Sequence, residues 1–217
     1  MKKQNKVSNA VIRRLPRYYR QLFELQKKGV VRISSGDLGK RMGLTASQIR
    51  QDLFCFGEFG QQGYGYKVDS LREEIGEILG ITKGHKAVVM GAGNLGRALM
   101  ENFEFAGNGF LVLAAFDVDV KLVGREIGGV PVYHADRLEE YLAENPVDMA
   151  LLTVPRWAAE STARRLVDCG VKGLWNFTNC ELAFPEEDVV VESVHFSDSL
   201  LTLSYLISQR QIQEEST

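Results

Sequence analysis

A glycine-rich segment that follows a short apolar run constrains the fold of this chain more than any other feature. Residues 87–90 are apolar, and Gly91, Gly93 and Gly96 follow at the spacing Gly-x-Gly-x-x-Gly. A helical repeat of apolar residues comes next, and a second apolar run ends at Asp117. This order of strand, glycine turn, helix, strand and acid is typical of a dinucleotide-binding βαβ unit.

Each glycine has a physical role in such a unit. Gly91 allows the tight turn, Gly93 lets the backbone approach a pyrophosphate, and Gly96 lets the helix pack closely on the strand. The free N–H groups at the start of the helix favour phosphate binding. We therefore expect the pyrophosphate to be bound by Gly91, Ala92, Gly93, Asn94, Leu95 and Gly96. A tight strand–helix turn without a ligand is the alternative.

Asp117 indicates which nucleotide binds. It lies 21 residues after Gly96, and no arginine follows it until Arg125. A carboxylate there accepts hydrogen bonds from the ribose hydroxyls and repels a 2′-phosphate. We expect NAD, as NADH and NAD⁺, at Asp117 and the adjacent Val118, and not NADP(H). A CoA-binding domain shares this fold type, but Asp117 argues for a free ribose.

The charge is distributed unevenly along the chain. Residues 1–67 contain 14 Lys and Arg against 4 Asp and Glu, a net charge of +10. The other 150 residues contain 12 Lys and Arg against 24 Asp and Glu, a net charge of −12, so the whole chain carries −2. A basic third joined to an acidic remainder indicates two domains with different partners. The positive domain favours nucleic acid as its partner. A solvated basic face is the alternative.

Composition indicates an ordinary globular protein, with 45% hydrophobic and 25% charged residues in 217. The sequence has neither an 18-residue apolar run nor a signal peptide pattern. Its three cysteines, Cys55, Cys169 and Cys180, are far apart, and no Cys–His cluster suggests a metal site. We expect a cytoplasmic protein with reduced thiols, no membrane association and no bound metal.

Residues 34–54 have the pattern of a helix-turn-helix. The segment Ser34-Ser35-Gly36-Asp37 offers an N-cap for a short first helix, and Gly43-Leu44 makes a tight turn. Thr45 and Gln48 then form a capping box for a second helix. In this second, recognition helix, Ile49, Leu53 and Phe54 are predicted to point inward. The residues predicted to meet DNA are Ser47, Gln48, Arg50 and Gln51 of this helix, together with Arg14.

The segment 56–66 combines four glycines with aromatic residues. This pattern suits a tight hairpin held by aromatic cross-strand pairs. Directly after a recognition helix it predicts a wing, with Gln61, Gln62 and Tyr64 as further DNA contacts. An interdomain linker is the alternative.

The acidic part of the chain alternates strand and helix patterns, which predicts a Rossmann-like, doubly wound parallel sheet. Ligands of such sheets bind beyond the carboxyl ends of the strands. We therefore expect the nicotinamide half near Thr153, Val154 and Pro155, and near Asn176 and Phe177. Structural turn chemistry is the competing interpretation for each of these residues.

A helix pattern at residues 197–217 is apolar around its whole axis, at Leu200, Leu201, Leu203, Tyr205, Leu206 and Ile207. Such a helix is normally buried on every side, which at a chain end suggests insertion into a partner subunit. Packing within the same chain is the alternative. The predicted domains are 1–80, 81–196 and 197–217, with a winged helix-turn-helix, an α/β nucleotide domain and a dimerisation helix in that order.

The chain resembles the Rex family of redox-sensing transcriptional repressors over almost its whole length. The resemblance rests on SSGDLGKRMGLTASQIRQDL, FGEFGQQGYGY, GAGNLG, FDVD, LLTVP and the C-terminal helix. It implies a homodimer with a domain-swapped C-terminal helix. It also implies that the apo or NAD⁺ form binds double-stranded operator DNA and that the NADH form releases it.

The sequence departs from the family pattern at several positions. Gln51, Gln61 and Gln62 stand where basic residues are usual in the family. The loss of positive charge weakens the expected contacts with DNA phosphates. The resemblance implies a redox-linked contact between Arg20 and an Asp, but His195 replaces that Asp, and Asn102 replaces a common Tyr. Arg20, Asn102 and His195 are therefore candidates for an altered redox switch.

An NAD-dependent dehydrogenase is the main alternative function. It would need a general acid or base and a substrate pocket beside the nucleotide. The three histidines suggest no catalytic set, and about 150 residues accommodate one nucleotide fold without a catalytic domain. A sensor without catalytic residues is therefore favoured over an enzyme.

Overall fold

The computed structural model describes residues 7–57, 59–60, 64–185 and 188–215, with side chains up to residue 211. The chain divides into two compact units, Met1–Lys83 and Gly84–Thr217. None of the described helices is both long and apolar enough to cross a membrane.

The first unit is helical with one small sheet. Its elements are α1 (Asn9–Ile12), α2 (Leu15–Lys27), β1 (Arg32–Ile33), α3 (Ser35–Met42), α4 (Ala46–Phe54), β2 (Tyr66–Lys67) and α5 (Val68–Ile78). The helices enclose an apolar core that includes Leu22, Leu38, Ile49 and Ile75. The amphipathic repeat that predicted these helices therefore forms their buried faces.

Helices α3 and α4 form the predicted helix-turn-helix, and local chemistry sets their ends. The Ser34 Oγ accepts a hydrogen bond from the Asp37 N–H at 3.0 Å, and the Thr45 Oγ1 accepts one from the Gln48 N–H at 3.1 Å. Gly43 ends α3 in the left-handed conformation at φ 69°, which glycine adopts without strain.

The strand pairing differs from the hairpin predicted within residues 56–66. Strand β2 pairs antiparallel with β1, so that Ile33 lies opposite Tyr66, and β1 precedes the helix-turn-helix. Both side chains are buried in the core of this unit. Glu58 and residues 61–63 lie outside the described residues. The partner of β2 is therefore a distant segment, which the local turn signal did not indicate.

The second unit is an α/β sandwich of Rossmann type, as predicted. Its elements are β3 (His85–Met90), α6 (Asn94–Asn102), β4 (Phe110–Asp117), β5 (Glu126–Ile127), β6 (Val130–His134), α7 (Leu138–Glu144), β7 (Met149–Leu152), α8 (Arg156–Asp168), β8 (Gly173–Asn176), β9 (Val190–Ser193) and α9 (Phe196–Glu215). The strand order is β5-β6-β4-β3-β7-β8-β9. Every neighbouring pair is parallel except β5 and β6.

Strand β3 is buried on both of its faces. Val88 and Met90 belong to one apolar cluster, which also contains Leu166 of α8. Ala87 belongs to a second cluster on the other face. This alternation explains why the strand is a continuous apolar run, since helices cover both sides of the sheet.

Helix α9 stands apart from these clusters. Its apolar side chains are exposed, at 67% for Leu200, 68% for Leu201 and 63% for Tyr205. Across its described side chains, the helix therefore leaves a large apolar surface uncovered within its own chain.

Candidate nucleotide site and DNA-binding surface

The glycine segment lies where the strand order reverses. Strand β3 has β4 on one side and β7 on the other, and both neighbours are parallel to it. The carboxyl ends of the three strands therefore lie at one edge of the sheet. A crevice at such a reversal is where open α/β sheets bind their ligands.

The glycines have the spatial roles that the motif predicts. Gly91 has φ 96°, and a Cβ there would lie 2.9 Å from the Thr153 carbonyl oxygen. A Cβ at Gly96 would collide with the Gly91 carbonyl oxygen. At Gly93 a Cβ would meet no described atom within 4 Å, so this residue borders open space. The loop thus packs tightly on the protein side and is open on the other side.

Helix α6 presents its N-terminus to that open space. Its N-cap is Gly93, which has no side chain to accept the first N–H groups. Unsatisfied N–H groups and the helix dipole favour an anion at this position. The loop geometry therefore fits the pyrophosphate of a dinucleotide.

Asp117 joins the glycine loop to the end of β4. Its Oδ2 accepts a hydrogen bond from the Ala92 N–H at 2.6 Å, and its Oδ1 accepts one from the Asp119 N–H at 2.9 Å. A carboxylate has about four acceptor positions. Asp117 can therefore brace the loop and still accept hydrogen bonds from a ribose. Val118 beside it is 71% exposed.

Thr153 holds the loop from the other side. Its Oγ1 lies 3.0 Å from the Met90 carbonyl oxygen and 2.7 Å from that of Gly91. Its hydroxyl is thus committed to the backbone at the end of β3, while Val154 is half-buried and Pro155 is the exposed N-cap of α8. This arrangement favours structural turn chemistry for Thr153, although the residue lies at the predicted edge.

Asn176 is almost fully buried and has its polar atoms occupied. Its Nδ2 donates to the Cys180 carbonyl and the Ser193 Oγ, and its Oδ1 accepts from the N–H and the hydroxyl of Thr178. The adjacent Phe177 is also buried, with its ring 6.3 Å from that of Phe196 at the start of α9. The Asn176 amide therefore organises the turn after β8.

The three switch candidates occupy both units. Arg20 is exposed on α2 in the first unit. In the second unit, Asn102 ends α6 and donates from Nδ2 to the Ala98 carbonyl at 3.0 Å. His195 immediately precedes α9, and its Nε2 lies 3.3 Å from the Glu181 Oε1.

The predicted DNA-binding residues have different surroundings. On α4, Ser47, Arg50 and Gln51 are exposed, and Arg50 also donates to the Ser35 Oγ at 3.0 Å. Tyr64 is 71% exposed, whereas Gln61 and Gln62 lie outside the described residues. The prediction that Phe54 points inward is wrong, because its side chain is 74% exposed.

Arg14 and Gln48 bind a carboxylate that sequence reasoning missed. Asp52 is 1% exposed. It accepts two hydrogen bonds from Arg14, at 2.6 and 2.8 Å, one from the Gln48 Nε2 at 2.7 Å and one from the Tyr18 hydroxyl at 2.8 Å. The i, i+4 spacing of Gln48 and Asp52 was the available sequence signal.

These contacts shift the ionisation of the cluster. Burial opposes the charge of Asp52, but hydrogen bonds from Arg14, Gln48 and Tyr18 outweigh it and hold the pKa of this carboxyl below its usual value. Burial, together with the hydrogen bond to Asp52, raises the pKa of Tyr18. Asp52 is therefore an ionised side chain inside the first unit.

No group of His, Cys, Asp and Glu in the described part of the chain has an arrangement that could hold a metal ion.

Family models match both units. Residues 6–53 match the model "Putative DNA-binding protein N-terminus", and residues 82–180 match "CoA binding domain". With the geometry above, they define the class of this protein, in which a helix-turn-helix unit is joined to a Rossmann-like nucleotide-binding unit.

Relatives of high similarity identify the family within that class. The redox-sensing transcriptional repressor Rex of Clostridium botulinum (strain Hall) is 49% identical over 211 residues, which cover 97% of this chain and 100% of the relative. Rex of Caldanaerobacter subterraneus subsp. tengcongensis is 48% identical over 212 residues, which cover 98% of this chain and 94% of the relative. The chain belongs to the Rex family of redox-sensing transcriptional repressors.

Solved structures of a Rex-family repressor, RSP, have the same fold. RSP in complex with β-NAD⁺ and operator DNA superposes with a TM-score of 0.88 at 46% identity, covering 96% of each chain. RSP in complex with β-NADH superposes with a TM-score of 0.89 at 43% identity, covering 98% of this chain and 100% of the RSP chain.

Proposed function

We propose that this chain represses transcription according to the NADH/NAD⁺ ratio. Its apo or NAD⁺ form binds operator DNA, and NADH releases it. The observation that carries the proposal is the presence, in one chain, of the capped helix-turn-helix α3–α4 and the nucleotide loop braced by Asp117. Relatives at 49% identity are named redox-sensing repressors, and RSP has been solved with both nucleotides.

The nucleotide would be held at the carboxyl edge of the second unit. The N–H groups of residues 93–96 would bind its pyrophosphate, and Asp117 and Val118 would flank its adenosine ribose. Thr153, Val154, Pro155, Asn176 and Phe177 would border its nicotinamide half, with Thr153 and Asn176 acting through the backbone turns that they stabilise. The Asp117 carboxylate would disfavour a 2′-phosphate, so NAD(H) would bind and not NADP(H).

DNA would be bound by the first unit. The exposed residues Ser47, Arg50 and Gln51 of α4 would enter the major groove. Tyr64 would lie against the flanking backbone, and Gln61 and Gln62 are further candidates for DNA contact from outside the described residues. Arg14 would support this surface through its pair with Asp52.

The functional protein would be a homodimer in the cytoplasm. The uncovered apolar side chains of α9 would be buried against a second copy of the chain, in the swapped arrangement that the resemblance implies. A dimer also matches the two half-sites that helix-turn-helix repressors bind. Arg20, Asn102 and His195 are the candidates for the residues that distinguish NADH from NAD⁺.

A gel-shift experiment tests the proposal. Operator DNA selected by the protein from a random duplex pool is incubated with protein and either NADH or NAD⁺. We expect NADH to release the DNA and NAD⁺ to leave it bound. A Gly96→Ala variant, whose Cβ would collide with the Gly91 carbonyl, should remain bound at every NADH concentration.

Two results would contradict it. One is operator binding that persists with saturating NADH, and the other is oxidation of NADH on addition of a small carbonyl substrate, which would favour a dehydrogenase. Circular dichroism of Gly96→Ala serves as the control for folding.

A further inference from the structure

The orientation of α4 determines which of its side chains are free to meet DNA. Ile49, Asp52 and Leu53 are buried, so the opposite side of the helix is the outer one. The four hydrogen bonds of Asp52 come from α4 itself and from the segment that begins α2. This cluster fixes the rotation of α4 about its axis, because turning the helix would leave a buried carboxylate unpaired.

Gln48 is half-buried and belongs to the hydrogen-bonded set around Asp52. Its Nε2 donates to Asp52 at 2.7 Å. A glutamine reads adenine through its amide, with both the N–H and the carbonyl available. Because this bond ties the Gln48 amide to a carboxylate that is itself buried, we assign Gln48 to positioning the helix and look to other side chains for base contacts.

The outer side of α4 carries Ser47, Gln51 and Phe54. With about 3.6 residues per turn, Phe54 lies about 20° from Ser47 around the axis and about 60° from Gln51. The Phe54 side chain is 74% exposed, on a helix face that otherwise carries polar residues. The phenyl ring therefore continues the face proposed to meet DNA.

The C5-methyl group of thymine is the largest apolar group on the major-groove edges of the bases. A phenyl ring forms no hydrogen bonds with phosphate oxygens or base amides, so packing it against them would remove their water without replacing it. We propose that Phe54 is a specificity-determining residue that contacts a thymine methyl group in each operator half-site, while Gln48 positions the helix and reads no base. This inference rests on the proposed operator binding.

Replacing thymine by uracil tests the contact, because it removes only the methyl group. The probe is the duplex that the full-length protein selects from a random pool, with each thymine replaced in turn by uracil. At one or more positions per half-site, the wild-type protein should bind the uracil duplex about fourfold more weakly, the value of one buried methyl group. The Phe54→Ala variant should bind the thymine and uracil duplexes equally at those positions.

Gln48→Ala is the matched control on the same helix. Gln48→Ala should bind every duplex more weakly than the wild type does. It should still bind the uracil duplex about fourfold more weakly than the thymine duplex at the same positions. Thermal unfolding of Phe54→Ala checks its fold, which should be unchanged because the side chain is exposed.

The outcomes separate this inference from the function on which it rests. If no duplex is enriched, operator binding itself fails. If a duplex is enriched but uracil is tolerated everywhere, or its effect persists in Phe54→Ala, the assignment of Phe54 is wrong. A change in the association state of DNA-free Phe54→Ala would assign the ring to an interface with a second copy instead.

Discussion

Asp52 is an ionised side chain inside the first unit, and its hydrogen bonds determine the effect of its substitution. Asp52→Asn keeps the shape but weakens the bonds to Arg14 and Tyr18. We expect the free energy of unfolding to fall by about 2 kcal/mol, as for loss of hydrogen bonds to a buried charged group. Urea unfolding measures this change. The exposed carboxylate Glu73 in the same unit provides the control, and Glu73→Gln should change stability by less than about 0.5 kcal/mol.

The same carboxylate predicts a pH dependence. The folded pKa of Asp52 lies below its ordinary value, so its contribution to stability is complete above the unfolded pKa of about 3.9 and is lost as pH falls through the folded pKa. The stability difference between wild type and Asp52→Asn should be constant above about pH 5 and shrink below about pH 4. A difference that grows toward acid pH would contradict an ionised Asp52.

Asp117 predicts the choice between nucleotides. Asp117→Asn removes the negative charge but keeps an acceptor for the Ala92 N–H. We expect the preference for NADH over NADPH to fall about tenfold, since the repulsion of a 2′-phosphate is lost. Calorimetric titration of both nucleotides measures the ratio. Asp119→Asn, a change of the same charge two residues away, should leave it within about twofold.

Helix α9 gives a prediction for an entire element. Leu201→Arg places a charge on a helix whose described apolar side chains are about half to two-thirds exposed. If α9 is buried against a second copy, the dimer should dissociate at micromolar concentration, because an unpaired charge cannot be buried without a large cost. Sedimentation equilibrium measures the mass. Glu160→Arg, at an exposed position of α8, should leave the dimer intact, and a monomeric wild type would contradict the proposal.

Elements with local signals were predictable from the sequence. The helix-turn-helix follows from the capping segment at residues 34–37, from Gly43 and from the cap at Thr45, all within a few residues of the helix ends; the structure assigns the first cap to Ser34. The β1–β2 pair did not follow, because Ile33 and Tyr66 are far apart in sequence and pair only in the folded unit.

The candidate site was predictable in part for the same reason. The spacing of the glycines and of Asp117 locates the nucleotide loop, but not the hydrogen bonds of Thr153 and Asn176, which depend on neighbouring strands. A buried Asp52 and an exposed Phe54 contradict residue polarity, so only packing around α4 could place them.

At the scale of the whole molecule, the proposed function requires that operator binding and nucleotide binding be coupled. If NADH weakens operator binding, thermodynamic linkage requires that operator DNA weaken NADH binding by the same factor. We expect a factor of about 5 to 150, the usual range of such coupling. Calorimetric titration of NADH, with and without saturating operator duplex, measures the factor by which operator DNA weakens NADH binding. Equal NADH affinity in both states would exclude coupling.

The most direct test of redox sensing keeps the total nucleotide constant. Fluorescence anisotropy of a labelled operator duplex is followed while NADH replaces NAD⁺ at a fixed, saturating sum. We predict that anisotropy falls steeply over a narrow range of the NADH fraction and returns when NAD⁺ is restored. Anisotropy that is constant at every NADH fraction would contradict the assignment of this chain as a redox-sensing repressor.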